Sequence, residues 1–413
     1  MSKPEFDLIV FGATSFVGQI LTRYLYERHG ASGGEVRWAM AGRSTAKLEQ
    51  LRATLGTGSE ALPILIADAA DLDALKALCG RTRTVVSTVG PYALFGTPLV
   101  EACVQTGTDY CDLTGEVQWI DEMIRRFEPQ AKASGARIVH CCGFDSIPSD
   151  LGNWVLQQAA QTRFGAPCTR VKMRVKALRG GFSGGTVASL MNVVKLATQD
   201  PDLRKRLGDP YLLCPPDARG QGRQPDVKGP SFDAEFKGWS APFVMAAINT
   251  RVVQRSNGVA GQPWGTRFQY DEGMMTGPGL RGRMTAISVT AGLAGFMLGT
   301  ALSPVRWVLE RYVVPKPGEG PTPEQQRTGF FDLRFHGRTD DGRSLRAKVT
   351  GDRDPGYGST GKMLGEAGAC LALDIPDLPG GFWTQFVIVM AVIFVLGFFL
   401  DLDIAVAQHA EHA

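Results

Sequence analysis

The 413-residue sequence lacks the features that mark several protein classes. Its formal net charge is only +3 and it has no run of Lys and Arg longer than three residues, which argues against a nucleic-acid-binding protein. It has five scattered histidines, and its eight cysteines form no Cys-x-x-Cys pair, so no metal site is predicted. The first residues carry Lys3, Glu5 and Asp7 where a secretory signal would be apolar. These absences favour a cytosolic protein with reduced, structural thiols.

The composition that is present suits a globular protein of more than one domain. The chain is longer than one domain of roughly 150 residues. Its 44% hydrophobic content is enough for sizeable cores, and no internal repeat is visible. Two domains are therefore expected.

A strand, a glycine turn and a helix follow one another close to the N-terminus. Residues 8–11 are an apolar run of strand length, and the spacing Gly12-x-x-Ser15-x-x-Gly18 begins where that run ends. Gly12 permits a sharp turn, and Gly18 permits the helix to pack close to the strand. The free N–H groups at the start of the helix would then face a pyrophosphate. Glycine pairs also occur at such junctions without a nucleotide, but the position in a βαβ series favours a dinucleotide site.

The end of the second predicted strand distinguishes the two nicotinamide cofactors. Residues 36–41 read as a buried strand, which is followed by Gly42, Arg43 and Ser44. An acidic residue here would bind the ribose 2′-OH of NAD, whereas an Arg suits the 2′-phosphate of NADP. No acid is present, so NADP is predicted. The alternative is that Arg43 is only a surface residue before the helix predicted over residues 45–55.

Further strands alternate with helical segments, which predicts a doubly wound, Rossmann-like parallel sheet. The third and fourth strands are predicted at residues 62–67 and 84–89, and another at residues 137–142. The carboxyl ends of such strands open on the ligand crevice. Asp68 has two predicted roles, a contact to adenine or a capping or turn role. The residues predicted to contact the cofactor are Gly12, Thr14, Ser15, Phe16, Val17, Gly18, Arg43, Ser44, Asp68, Ser87, Val89 and Gly90.

Four motifs in this order resemble the saccharopine dehydrogenase-like oxidoreductases. The motifs are Gly12 to Gly18, Ala41-Gly-Arg43, Tyr110-x-Asp-Leu-Thr-Gly-Glu116 and Gly143-Phe-Asp-Ser-Ile-Pro-Ser-Asp-Leu-Gly152. Within that group the chain is most similar to the bacterial trans-acting enoyl reductases. The resemblance covers about residues 5 to 380. It implies an enzyme that uses NADPH to saturate a C=C bond of a lipid or polyketide acyl substrate, which a carrier or synthase could hold.

The pattern along the chain, together with the resemblance, gives an expected domain organisation. Residues 1–150 are predicted to form the NADP-binding Rossmann-like domain, and residues 151–350 an α+β substrate domain. A helix in residues 351–380 would return to the first domain. Residues 381–413 are a candidate membrane-anchoring tail.

The proton donor has weak candidates in the predicted crevice. These are Tyr92, Tyr110, Asp145 and Ser146, none of which has an identifying spacing. Tyr92 could instead pack against Pro91. The favoured role of Asp145 and Ser146 is to cap the helix that follows them.

Two apolar segments depart from the pattern of a water-soluble enzyme. Residues 285–305 are uncharged and rich in Gly and Ala, which favours a buried helix or a membrane-surface element over a span. Residues 382–400 are 19 uncharged residues, long enough to cross a hydrocarbon layer about 30 Å thick. A single transmembrane helix is therefore predicted there, with the enzyme on the cytoplasmic face. The alternative is a C-terminal helix packed on the protein.

Two other functions stay open. One is a saccharopine dehydrogenase-like oxidoreductase acting on a C–N bond, which would need paired Arg or Lys to hold carboxylates. The other is a non-catalytic nucleotide-binding protein associated with lipid.

Overall fold

The computed structural model describes residues 4–31, 34–180, 184–301, 320–375 and 377–386. Within them the chain forms two sheets. The strands, numbered in chain order, are β1 Phe6–Phe11, β2 Trp38–Gly42, β3 Ile64–Ile66, β4 Thr82–Ser87, β5 Asp109–Asp112, β6 Arg137–Val139, β7 Arg170–Arg179, β8 Ser231–Asp233, β9 Gly238–Ala241, β10 Gln269–Gly277, β11 Phe330–Arg338, β12 Ser344–Gly351 and β13 Gly381–Trp383.

Helices connect the strands and cover both sheets. In chain order they are α1 Phe16–His29, α2 Thr45–Ala53, α3 Leu72–Cys79, α4 Tyr92–Phe95, α5 Thr97–Thr106, α6 Val117–Ser134, α7 Ile147–Phe164, α8 Gly184–Gln199, α9 Pro201–Leu207, α10 Ala246–Val259, α11 Gly279–Ala301, α12 Pro323–Thr328 and α13 Thr360–Leu373. Short 3₁₀ turns lie at Ser59–Ala61 and Pro216–Ala218, and a π turn at Pro355–Ser359 precedes α13.

The first sheet is parallel and has the order β3-β2-β1-β4-β5-β6-β13. The apolar residues of β1 show why this sheet is covered on both faces. Leu8 and Val10 belong to one core cluster and Ile9 and Phe11 to another, because successive side chains point to opposite sides of a strand. The predicted Rossmann-like architecture is confirmed.

The second sheet is mixed, with the order β12-β11-β7-β10-β9-β8. Only β7 and β10 are parallel, and the other neighbours are antiparallel. Helices α7 and α10 pack on this sheet, and α13 packs on α1, β4 and β5. A second sheet is thus present, while the proposed domain limits at residues 150, 350 and 380 stay a prediction.

The structure corrects the sequence interpretation of residues 381–386. These residues were assigned to a membrane tail, but Gly381–Trp383 is the edge strand of the parallel sheet, beside β6. Phe382 and Phe386 are buried in the protein core. The predicted apolar helix therefore cannot begin at Phe382. The rest of the predicted span, residues 387–400, lies outside the described residues.

Within the ranges described above, no helix combines the length and the apolar character needed to cross a bilayer. Residues 285–301 of the apolar segment predicted over 285–305 lie in α11, which is not a buried helix, and residues 302–305 lie outside the described residues. Much of the surface of α11 is exposed to solvent.

Candidate functional site

The turn after β1 has the conformation that a dinucleotide site requires. Gly12 has a backbone φ of +85°, a value that residues other than glycine rarely adopt. A Cβ on Gly12 would lie 2.5 Å from Val89 Cγ2 and 2.9 Å from Thr88 Oγ1. The end of β4 therefore packs directly against the turn, and only glycine fits between them.

Ser15 links this turn to both α1 and β4. Its hydroxyl oxygen accepts a hydrogen bond from the Gly18 N–H at 2.9 Å, and it donates to Thr88 Oγ1 at 2.9 Å. A Cβ on Gly18 would lie 2.2 Å from the Gly12 carbonyl oxygen, so the helix approaches the turn as closely as a backbone can. The N–H groups of Phe16 and Val17 have no acceptor within the helix because they belong to its first turn. Positive partial charge at this helix end suits a pyrophosphate.

Arg43 lies directly after β2, with its guanidinium available to bind a ligand. Its side chain is exposed, and it makes no hydrogen bond or ion pair in the part of the chain that the structure describes. Ser44 caps α2, accepting from the Lys47 N–H at 3.4 Å. The guanidinium is thus free to bind a phosphate bidentately. These residues fit a 2′-phosphate, since no carboxylate competes at the strand end.

Asp68 takes the turn role that sequence reasoning had left open beside an adenine contact. Its Oδ1 accepts from the Ala70 N–H at 2.9 Å, whereas Asp71 caps α3 through the Ala74 N–H at 3.0 Å. Asp68 is exposed at the end of β3. It is therefore placed beside the cofactor crevice without a contact that assigns it to a ligand.

The end of β4 contributes three residues with different exposure. Ser87 is fully buried, Val89 is half-buried and Gly90 is exposed. The Val89 N–H is 3.5 Å from Ser87 Oγ. Because β4 is next to β1, Val89 and Gly90 border the same crevice as the glycine turn, while Ser87 lies beneath its floor.

The side chain of Tyr92 stabilises the fold and does not face the crevice with a free hydroxyl. Its hydroxyl is buried, donates to the Ser87 carbonyl at 3.0 Å and lies 3.5 Å from the Leu113 N–H. Burial, reinforced by the Asp112 carboxylate, raises the pKa of Tyr92 well above its usual value. Tyr92 therefore joins the loops after β4 and β5 and has no free hydroxyl for a substrate. Its ring packs on Trp119, and the suggested packing against Pro91 stays a prediction.

The hydroxyl of Tyr110 is likewise used in a hydrogen bond within the protein, to a buried carboxylate. Its hydroxyl donates to Asp112 Oδ2 at 2.9 Å, and His140 Nδ1 lies 2.7 Å from the same oxygen. Asp112 Oδ1 accepts from the Thr114 and Cys141 N–H groups at 3.1 and 3.2 Å. Burial, with the adjacent Asp112 charge, raises the pKa of Tyr110 well above its usual value. This network fixes the loops after β5 and β6.

Asp145 differs from the two tyrosines because its carboxyl has no partner. It is half-exposed in the loop after β6, and it makes no hydrogen bond or ion pair within the described ranges. A Cβ built on the exposed Gly115 would lie 3.7 Å from Asp145 Oδ2. The protein packed around the carboxyl raises its pKa to about 6 through loss of hydration.

The predicted capping role of Asp145 and Ser146 is wrong. Ser146 occupies the N-cap position of α7, but its side chain makes no capping hydrogen bond. Its hydroxyl instead donates to Asn249 Oδ1 at 3.3 Å, in α10. Ser146 is fully buried, so it connects two helices and does not face the crevice.

Three residues in this region were not assigned by sequence reasoning. Glu116 is fully buried and accepts from the Tyr92 and Ala93 N–H groups at 2.8 and 3.1 Å. Asp112 and His140 form the buried pair described above. Glu116 and Asp112 belong to a motif that was visible in the sequence, but their roles depend on loops that meet only in the folded sheet.

The site has no metal-binding chemistry in the described ranges. No group of three His, Cys, Asp or Glu side chains there could hold a metal ion. All eight cysteines are buried and free of disulfides.

Comparison with known proteins agrees with this geometry. Residues 8–139 match the family model described as the saccharopine dehydrogenase NADP-binding domain. The yeast Saccharomyces cerevisiae saccharopine dehydrogenase (L-Glu forming) has a similar fold, with a TM-score of 0.52 over 98% of this chain and 99% of that chain, at 12% identity. The predicted family and the NADP cofactor are confirmed.

Curated relatives match nearly the whole chain. A Mycobacterium tuberculosis H37Rv protein provisionally named a trans-acting enoyl reductase is 42% identical over 381 residues, which are 90% of this chain and 89% of that protein. The trans-acting enoyl reductase of Mycobacterium bovis BCG is 38% identical over 386 residues, 90% of each chain. The chain belongs to the saccharopine dehydrogenase-like family and groups within it with the trans-acting enoyl reductases.

Proposed function

We propose that the protein reduces a C=C bond of a lipid or polyketide acyl substrate with NADPH. Relatives named for enoyl reduction support the reaction class. The observation that carries the proposal is the meeting of two features at one sheet edge. The loops after β4, β5 and β6 follow neighbouring strands. The exposed Gly115 lies beside the unpartnered carboxyl of Asp145, and the exposed Gly90 follows the adjacent strand β4.

The NADP-binding residues would hold the cofactor along the carboxyl edge of the parallel sheet. The turn at Gly12 and the first turn of α1 would bind the pyrophosphate, and Arg43 the 2′-phosphate. NADPH supplies a hydride when bound. The residues proposed to contact it are Gly12, Thr14, Ser15, Phe16, Val17, Gly18, Arg43, Ser44, Val89 and Gly90, with Asp68 and Ser87 adjacent.

We assign Asp145 as the proton donor to the carbon next to the substrate carbonyl. A general acid needs an accessible proton and a pKa near the working pH. Asp145 is only partly buried, its carboxyl has no protein partner within the described ranges, and its pKa is about 6. The hydroxyls of Tyr92 and Tyr110 are buried in hydrogen bonds to protein, and Ser146 is buried against Asn249. The protonated form of Asp145 acts, and the carboxylate is left after transfer.

The buried arginines disfavour the alternative reaction at a C–N bond. An amino-acid substrate requires cations that hold its carboxylates. Arg174 is buried between Asp233 and Asp271 at 2.8 and 2.6 Å. Arg255 donates to the carbonyl groups of Leu213 and Phe382. Both guanidinium groups therefore serve the fold.

The substrate is proposed to arrive attached to another protein. The relatives carry the term trans-acting, which fits an acyl chain held by a carrier or synthase. A thioester would supply the carbonyl that the reaction needs, because it stabilises the enolate charge formed by hydride addition.

An assay with a minimal substrate tests this function. NADPH oxidation is followed with an enoyl N-acetylcysteamine thioester, and separately with an imine-forming pair of an amino acid and a keto acid. Turnover with the thioester only is expected. Turnover with the second pair only would support the C–N reaction. Tight NADPH binding with turnover of neither substrate would support the non-catalytic alternative.

For the tail we propose attachment to a membrane surface from the cytoplasmic side. Residues 387–400 are fourteen uncharged residues, whereas a spanning helix needs about 20. A chain that ends at Phe386 should keep its NADPH affinity and be recovered without detergent. If the full chain is recovered in the same way, the attachment proposal for the tail is wrong.

A further inference from the structure

Helix α11 presents an apolar face to solvent. Leu280, Met284, Ile287 and Leu298 are 73%, 53%, 40% and 69% exposed. The helix has 23 residues and a length of about 35 Å. Exposed large apolar side chains this numerous on one helix mark an interaction surface.

Apart from Met297, which is 37% exposed and lies toward the opposite side, the exposed apolar residues of α11 lie on one side of the helix. They follow the spacing 280, 284, 287, 291, 294 and 298, which places them along one stripe of a helix. The opposite side packs on β9 and β10, where Gly282, Ala286 and Thr300 are buried, and α11 also contacts α8. The helix therefore has a buried face that belongs to the fold and a second apolar face that does not.

The neighbouring edge of the second sheet extends this surface. Phe232, in the edge strand β8, is 58% exposed, and its ring packs edge-on against Trp239 at 5.9 Å. The Arg283 guanidinium lies 5.3 Å from the centre of the Trp239 ring. Aromatic rings and arginines side by side are typical of protein surfaces at a membrane–water boundary.

The charged residues of α11 are all basic. Arg281 and Arg283 in α11 are exposed, as is Lys237 just before β9. The sequence has no Asp or Glu between Glu272 and Glu310. The basic groups at the start of α11 thus have no acidic neighbours on their own helix.

We propose that α11 and the adjacent sheet edge rest on an anionic phospholipid surface. The apolar stripe would enter the boundary between headgroups and acyl chains to a depth of about 5–10 Å. Arg281, Arg283 and Lys237 would meet lipid phosphates. Pairing of α11 with a second copy is less suitable, because two basic, acid-free helices offer each other no counter-charge.

Vesicle binding by the full chain tests this proposal. Wild type should sediment more strongly with phosphatidylcholine vesicles that contain about 30% phosphatidylglycerol than with phosphatidylcholine alone, to which the tail can also attach. Leu298→Glu should lower vesicle binding about tenfold, because it places a carboxylate in the stripe. Ala133→Glu adds the same charge at an exposed position of α6 and should bind as wild type does. Arg281→Ala/Arg283→Ala should lose the preference for anionic vesicles.

Three results would overturn the proposal. Equal vesicle binding by wild type and Leu298→Glu would place any lipid contact elsewhere, the tail included. No vesicle binding by wild type would exclude a lipid surface. A smaller sedimenting mass of Leu298→Glu without vesicles would show that the face joins two copies. NADPH titration checks that each variant is folded, and because no readout uses turnover, failure here is distinct from failure of the proposed reaction.

Discussion

At the scale of single residues, the sequence identifies the glycines of the cofactor turn better than the acid of the site. Gly12 could be predicted because its neighbours in sequence form the strand and helix that it joins. The state of Asp145 could not, since a Ser or Asp before a helix is usually a cap. Here Ser146 is held by Asn249 of a distant helix, and the Asp145 carboxyl is left without a partner.

Arg43 should select NADPH over NADH. Arg43→Ala removes charged hydrogen bonds to the 2′-phosphate, which should weaken NADPH binding by about 1.5–3 kcal/mol and leave NADH binding nearly unchanged. Calorimetric titration with both cofactors measures this. Arg126→Ala, at an exposed arginine of α6, is the control and should change neither affinity. Equal losses for both cofactors in Arg43→Ala would contradict the assignment.

Ionisation of Asp145 should set the fall of kcat/KM at high pH. The protonated carboxyl is the active form and its pKa is about 6, so kcat/KM should fall as the pH rises through that value. Asp145→Asn should lower kcat by about 10²–10⁴ without changing NADPH affinity. Asp145→Glu should restore part of the rate. If Asp145→Asn showed the same dependence of kcat/KM on pH as the wild type, Asp145 would be excluded as the proton donor.

At the scale of elements, hydropathy alone misassigned residues 382–386. A strand in a parallel sheet is buried on both faces and reads as a continuous apolar run. A membrane segment gives the same signal. Only the pairing of Gly381–Trp383 with β6 separates the two structures, and this pairing joins residues more than 240 positions apart.

The turn between β1 and α1 should not accept a side chain. Gly12→Val would force a β-branched residue into a φ of +85° and against Val89 and Thr88, so NADPH binding should be lost. Ala133→Val introduces the same side chain at an exposed position of α6 and should leave binding intact. Normal NADPH affinity in Gly12→Val would mean that another turn holds the pyrophosphate.

The interface of α10 with β10 should respond to pH through Glu272. Glu272 is buried, accepts from Tyr270 and Asn249 at 2.8 and 2.9 Å, and burial raises its pKa to about 7. An acid whose pKa is raised by folding lowers the free energy of unfolding as the pH rises from the unfolded pKa toward the folded one. Relative to Glu272→Gln, the wild type should therefore lose up to about 3 kcal/mol between pH 4.5 and 7.

Urea unfolding of the wild type and Glu272→Gln at several pH values measures this difference. Glu122→Gln removes an exposed carboxylate of α6 and should show no such trend. A constant difference between wild type and Glu272→Gln across the pH range would show that Glu272 is charged in the folded protein.

At the scale of the molecule, the alternation of strands and helices was enough to predict the first sheet but not the path of the chain through the second. Residues 200–240 are rich in Pro, Gly and charge, a composition typical of a loop, yet they contain α9, β8 and part of β9. Short edge strands with one exposed face contain too few residues to show a clear alternation of apolar and polar side chains in the sequence. The position of these strands in the sheet depends on the pairing of β9 with β10, which comes later in the chain.

The central claim is hydride transfer from NADPH to a carbon of an acyl C=C bond. It is tested most directly by carrying out the reaction with NADPH deuterated at C4 and locating the label in the saturated thioester by NMR. The account predicts one deuterium on the β-carbon and a solvent-derived proton on the α-carbon. Deuterium on a carbon that had carried an imine nitrogen, or no label in any product, would contradict it.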